Sequence, residues 1–222
     1  MDAELFLRIG AFLKWIGIVL IPVFLLPLLT LVLPGGFTSA SRILYKQIDR
    51  ATGWALRAAV VCAAALVLVQ LAVVIASFGF ALSWTWLSEA VIYAFAAVFM
   101  LGAASALKDD AHVRVDILRP RFGETVRNWI ELGGTYFFLF PIMFRLLMTG
   151  EQGLARSWLL LEGSRESDGL PILFVFKTLL PVFAILMLAA GLSVALKAAI
   201  RLTGGTPSDD EAHPTMSGHY GA

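Results

Sequence analysis

Long apolar runs separated by short polar breaks dominate this chain. Five runs stand out: Trp15 to Leu33, Trp54 to Phe78, Trp84 to Leu107, Val126 to Met148 and Pro171 to Ile200. A helix needs about 20 apolar residues to cross a hydrocarbon core, so the last four predict a four-helix transmembrane bundle. Pro22 and Pro27 interrupt the first run. Three readings stand for it: a spanning helix kinked by its prolines, which membrane helices tolerate; a tilted or hairpin-like interfacial segment; or a cleaved signal peptide, although the run exceeds the roughly 7 to 15 apolar residues of a signal core.

Between the first two runs, Ile43, Leu44 and Ile48 fall on one side of a helical projection, with Arg42, Lys46, Asp49 and Arg50 largely elsewhere. That spacing suits a short amphipathic helix on the membrane surface, or equally a solvated linker helix. Residues 203–222 are small, polar and rich in Pro and Gly, a composition that favours disorder. The expected architecture is an all-α integral membrane protein with a four-helix core, an additional N-terminal apolar helix and a short interfacial amphipathic helix. Its parts are an N-terminal apolar and amphipathic segment (1–53), a four-span unit (54–202) and a disordered tail (203–222). No internal repeat of the kind that builds many transporters is visible in this chain.

Composition agrees with the pattern. Of 222 residues, 59% are hydrophobic and 15% charged, with a mean hydropathy of +0.83, against about 25% charged for an ordinary soluble domain. A soluble enzyme is excluded. The formal charge of +1 lacks the basic surplus of a nucleic-acid binder, so the partners expected are lipid bilayer and protein, with no nucleic acid. The single cysteine, Cys62, excludes an internal disulfide.

Basic residues in short loops set orientation. Arg42, Lys46, Arg50 and Arg57 precede or open the second run; Lys108, Arg114, Arg119, Arg121 and Arg127 lie between the third and fourth; Lys197 and Arg201 close the fifth. These belong to the cytoplasmic side. The 79–83 turn has no basic residue, and the Glu151 to Leu170 loop sets Arg156 and Arg165 against Glu151, Glu162, Glu166 and Asp168. Those two face outward, and both ends of the four-span bundle are cytoplasmic.

Charge within a span is costly and usually paired. Under this topology Glu89, Arg145 and Lys177 fall in an outer layer, with Arg57 and Glu131 near the inner boundary. One reading makes Glu89 and its cations part of an ion or substrate path; the other makes these residues links between helices, or side chains snorkelling to the surface. The middles of the spans are apolar or small, which favours the second. Gly102, Ala103, Ala104, Ala106, Gly133, Gly134, Gly191 and Ala195 offer places for close helix contact.

Catalytic motifs are absent from the sequence. It has no phosphate-binding loop and no zinc signature, and no G-x-S-x-G elbow. His112 with Asp109, Asp110 and Asp116 invites a metal site, but a polar loop explains them better, so neither a metal nor another cofactor is expected.

Two stretches carry a resemblance. Phe99 to Leu118 reads FMLGAASALKDDAHVRVDIL, and Ser157 to Ser193 reads SWLLLEGSRESDGLPILFVFKTLLPVFAILMLAAGLS. Both resemble the DctQ-type small permease subunit of tripartite ATP-independent periplasmic (TRAP) transporters, and look most like its mannitol and chloroaromatic branch. The matching residues are Gly102, Ala103, Lys108 and His112-Val113-Arg114-Val115-Asp116, followed by Ser157, Trp158, Glu162, Ser164, Gly169, Leu170, Pro171, Lys177 and Pro181. Asp168 departs from a glycine frequent at that place, and the Trp15 to Leu33 run goes beyond the usual four spans. Physically, Gly169-Leu170-Pro171 turns the chain and opens a helix with proline, whose missing N–H costs nothing in a first turn. His112 to Asp116 alternates apolar and charged residues, which fits either a docking element for a partner or an ordered loop.

The resemblance implies a subunit of a bacterial inner-membrane transporter driven by an ion gradient, with sodium the expected ion, and taking up organic acids. Its implied partners are a large multispanning permease subunit and a periplasmic substrate-binding protein. This chain would act as a scaffold for the large subunit and help dock the binding protein near Trp158, Glu162 and Arg165. The alternative is an independent membrane scaffold or complex-assembly protein with no transport role.

Overall fold

The computed structural model describes residues 22–33, 35–109 and 122–207. They form helices α1 (Pro22–Val32), α2 (Thr38–Val74), α3 (Thr85–Lys108), α4 (Glu124–Gly134), α5 (Phe140–Leu159), α6 (Leu173–Lys177) and α7 (Leu179–Leu202). Two π-helical turns, Ile75–Gly79 and Thr135–Leu139, extend α2 and join α4 to α5. Four continuous helical stretches are long and apolar enough to cross a membrane: Thr38–Gly79, Thr85–Lys108, Glu124–Leu159 and Leu173–Leu202. In lipid the backbone must satisfy its own hydrogen bonds, which is why such runs become helices.

The amphipathic stretch expected as a separate surface helix is instead the first part of α2. Nothing between Thr38 and Val74 breaks the helix, because Thr52-Gly53-Trp54 lacks proline and the flanking residues are mostly good helix formers. With its π-helical turn the rod has 42 residues, about 63 Å at 1.5 Å per residue, or twice a hydrocarbon core of about 30 Å. Likewise α5 runs on to Leu159, so Glu151 and Arg156 lie on a helix and only residues 160–172 form the following loop.

Proline accounts for the irregularities at Thr135–Leu139 and Thr178. Pro141 has no N–H to give the carbonyl one turn back, and the backbone widens over Thr135–Leu139 just before it. Pro181 similarly deprives the Lys177 carbonyl, and the last span is divided at Thr178 into α6 and α7.

Helix α7 is the centre of the bundle. It packs against α2, α3, α4 and α5, and from Leu188 to Ile200 every residue except Ala189 and Val194 is buried. The apolar cluster combines Leu188, Leu192, Leu196 and Ile200 with Tyr45 of α2 and Phe140 and Met143 of α5. Gly191 faces the widened turn between α4 and α5. A Cβ there would meet Phe140 Cε1 at 3.2 Å and Thr135 Cγ2 at 3.3 Å, and would run into Leu139 Cδ2. By contrast Gly133 and Gly134 have open space around them.

Helix α1 lies against α5 and the widened turn before it. Phe24 packs edge-on to Phe140 (4.9 Å between centroids) and Phe144 (5.4 Å), and the Tyr136 hydroxyl donates to the Phe24 carbonyl. At about 16 Å α1 covers half a hydrocarbon core; residues 15–21 of the first apolar run lie outside the described residues.

Gly191→Leu is expected to lower the thermal midpoint of the purified chain, by overpacking on the scale of about 1–3 kcal/mol. Gly133→Ala should leave it unchanged or higher, and equal midpoints for the two variants would contradict the close approach at Gly191.

Candidate functional site

The residues of the second motif converge at one end of the bundle, where the 160–172 loop closes over α3 and α6. Helix α5 ends in a Schellman arrangement: Glu162 N–H donates to the Ser157 carbonyl (3.0 Å) and Leu161 N–H to that of Trp158 (3.3 Å). Leu161 takes the left-handed position at φ +46°, usually given to glycine. The chain thereby reverses and carries Glu162 back over the helix end.

Glu162 is the first anchor. Its Oε2 accepts from Ser157 Oγ (2.7 Å) and from the Lys177 ammonium, while its carbonyl accepts from Phe174 N–H (3.1 Å). The bond from Lys177, then that from Ser157, hold its carboxyl below the ordinary range, with Lys177 and Arg165 adding attraction.

Glu89, on α3, is the second anchor. It accepts from Ser164 Oγ and from Leu170 N–H (2.7 Å), and Ser164 N–H reaches the Leu170 carbonyl (3.0 Å). Gly169 fills the remaining space: a Cβ there would collide with Ser164 and lie 2.9 Å from Glu89 Oε1. Pro171 approaches Gly163, whose Cβ would stand 3.4 Å from the proline Cα. Aromatic contacts complete the seal. Trp158 Nε1 donates to Thr178 Oγ1 (3.0 Å), its ring meets Phe174 edge-on at 4.9 Å, and Tyr93 stacks on Phe176 at 4.3 Å.

The opposite end holds a cluster that the sequence does not suggest. Asp49 of α2 accepts from Ser193 Oγ (2.7 Å) and from Lys197 Nζ (2.8 Å) of α7, and the ammonium lies 5.4 Å from the centre of the Tyr45 ring. The two charged side chains are only 16% and 10% exposed, so this is an interior ion pair. By residue pattern alone Asp49 reads as a surface residue and Lys197 as a loop cation. The available signals are a single acid in an otherwise basic helix segment and Ser193 four residues before Lys197, on the same helical face.

The charges placed in two layers by sequence therefore divide differently. Glu89 is met by the loop rather than by Arg145 or Lys177, and Lys177 joins Glu162. Glu131 faces Arg201 at 4.0 Å. Arg57 lies over the Trp54 ring, 4.6 Å from its centre. Arg145 is exposed on α5 with no ion pair among the described residues. At the end of α3, Lys108 pairs with Asp109 at 3.2 Å, and a Cβ at Gly102 would stand 3.9 Å from Ala59 Cβ. His112, Arg114 and Asp116 lie outside the described residues. Among the described residues no group of His, Cys, Asp and Glu is arranged to hold a metal ion.

Such a molecule belongs to the class of all-helical, multi-pass membrane proteins. The family model of the DctQ component of tripartite ATP-independent periplasmic transporters matches residues 66–201, well over half of the chain, and the chain belongs to that family. It is a small membrane subunit of a tripartite transporter, and the family is not enzymatic. No curated protein matches the chain, and neither does any solved structure.

The lowered titration of Glu162 sets a sign. A carboxyl held down in the folded loop adds stability above its unfolded pKa, and that contribution is lost as pH falls through the folded value. Amide protection of Phe174, measured by hydrogen exchange, should therefore survive acidification through the ordinary carboxylate range and vanish below it. In Lys177→Met the loss should move to higher pH; an unchanged profile would show that the Lys177 bond does not hold the loop.

Proposed function

We propose that this chain is the scaffold of its transporter, bracing the large permease subunit while that subunit moves the substrate. One observation supports this reading above the others: Glu89, Glu162, Asp49 and Glu131 are each engaged by groups of the same bundle. They tie helices together and leave no string of ionisable groups running through the described spans, which a proton or sodium path would need. The ion and substrate sites then belong to the large subunit.

The uncovered surface of α5 is where that subunit sits. Arg145 is exposed at membrane depth on α5. A guanidinium in hydrocarbon is costly, so a partner helix with a carboxylate suits that position. By the distribution of basic residues, the 160–172 loop faces the periplasm and the Asp49–Lys197 end the cytoplasm of the bacterial inner membrane. The exposed loop tip, Arg165 to Asp168, then helps dock the substrate-binding protein. Resemblance of the two motifs favours the mannitol and chloroaromatic branch, sodium coupling and organic-acid substrates.

Gentle detergent purification of the tagged chain should bring down a much larger multispanning protein, and Arg145→Glu should reduce its recovery. Both membrane subunits reconstituted with a binding protein should give sodium-dependent uptake that falls when this chain is omitted. A lone stable monomer, or undiminished uptake without the chain, would remove the scaffold role.

A further inference from the structure

The first five turns of α2 leave one face without a partner helix. Arg42, Lys46, Arg50 and Arg57 are all exposed. At about 100° per residue they fall within one sector roughly 80° wide, and they extend about 22 Å along the axis. Orientation by the positive-inside effect requires basic residues in this segment, but it does not require them to share a face.

Asp49 makes the face wholly cationic. It is the sole acidic residue between Thr38 and Gly79, and Ser193 and Lys197 hold it inward against α7. Arg42 gives one bond to the Thr206 carbonyl (3.2 Å), whereas Lys46, Arg50 and Arg57 meet no carboxylate among the described residues. The same sector continues toward the membrane middle as Val60, Leu68 and Leu71, with Val61 and Val67 about 20° beyond its edges, and all five are exposed. Trp54, a residue type that favours the level of lipid headgroups, lies between Arg50 and Arg57 along the chain and about 40° outside the sector; it is 68% exposed and covered by the Arg57 guanidinium.

We propose that this face binds acidic phospholipids, with phosphate groups held by Lys46, Arg50 and Arg57 and acyl chains lying along Val60 to Leu71. Cations followed by hydrocarbon on a single helix face match a lipid's own order of anionic head and apolar tail, whereas a carboxylate-bearing protein helix would need no such sequence. The site requires only that the chain be embedded in a membrane, so it stands apart from the scaffold role and from the assigned orientation. Its headgroup-binding residues also precede residue 66, where the family match begins.

The test uses the full chain in phosphatidylcholine vesicles containing trace spin-labelled phosphatidylglycerol or spin-labelled phosphatidylcholine. The wild-type chain should immobilise the acidic label preferentially, and added salt should weaken the preference. Replacing Lys46, Arg50 and Arg57 with Gln should remove it, by about fivefold per charge that contacts a headgroup. Exchanging Lys46→Arg and Arg50→Lys should retain it, as should Arg156→Gln with Arg165→Gln at the other end. Equal association of the two labels with the wild-type chain, or a preference undiminished in the Gln variant, overturns the proposal. Should the Gln variant lose the large subunit while keeping its lipid preference, the face is a protein interface and the proposal is likewise overturned.

Discussion

Helices already in lipid gain nothing from hydrophobic burial against one another, so they associate through close packing and polar contacts. In this bundle that requirement falls on α7. Its Ala, Gly and Ser positions let α2, α3, α4 and α5 come near, and Gly191 admits the widened turn over Thr135–Leu139. The two features are complementary: proline at 141 disturbs one helix, and a missing side chain on another accommodates the disturbance.

Polar contacts then fix how far each helix slides along its neighbours. Asp49 with Ser193 and Lys197 sets α2 against α7 at one end, while Glu89 sets α3 against the 160–172 loop at the other. A buried pair of this kind contributes little net stability against an apolar replacement, yet losing one member costs roughly 3–5 kcal/mol. Its effect here is to select one register among several that an apolar surface would allow equally well. Glu162 plays the corresponding part where α5 ends and α6 begins, with Leu161 accepting an unfavourable backbone so that the carboxylate lands beside Lys177.

Hydrophobic runs suffice to reveal the four spans, because length and apolarity are local properties. The second motif is legible for a similar reason: Ser157, Glu162, Ser164, Gly169 and Lys177 lie within a short stretch, and the structure gathers them. The true partner of Glu89 is hidden, since half of its bonds come from a backbone amide that no residue type announces. Asp49 and Lys197 escape notice because each sits near the boundary of an apolar run, where charge normally belongs to a loop. Reading the amphipathic stretch as its own helix fails because the change of surface chemistry at Trp54 is not a change of backbone.

The central position of α7 also bears on how the chain is made. It is the last of the described helices to be synthesised, yet it supplies the surface that the earlier spans share. During biogenesis α2 and α3 can pair as a hairpin, but among the described residues α4 and α5 pack chiefly against α7, which is inserted later. Completion of the fold is thus deferred to the final segment, and Asp49 waits in the bilayer's edge for a lysine nearly 150 positions downstream. A chain interrupted before Leu179 would present its membrane chaperones with correctly inserted helices that have nothing to close around.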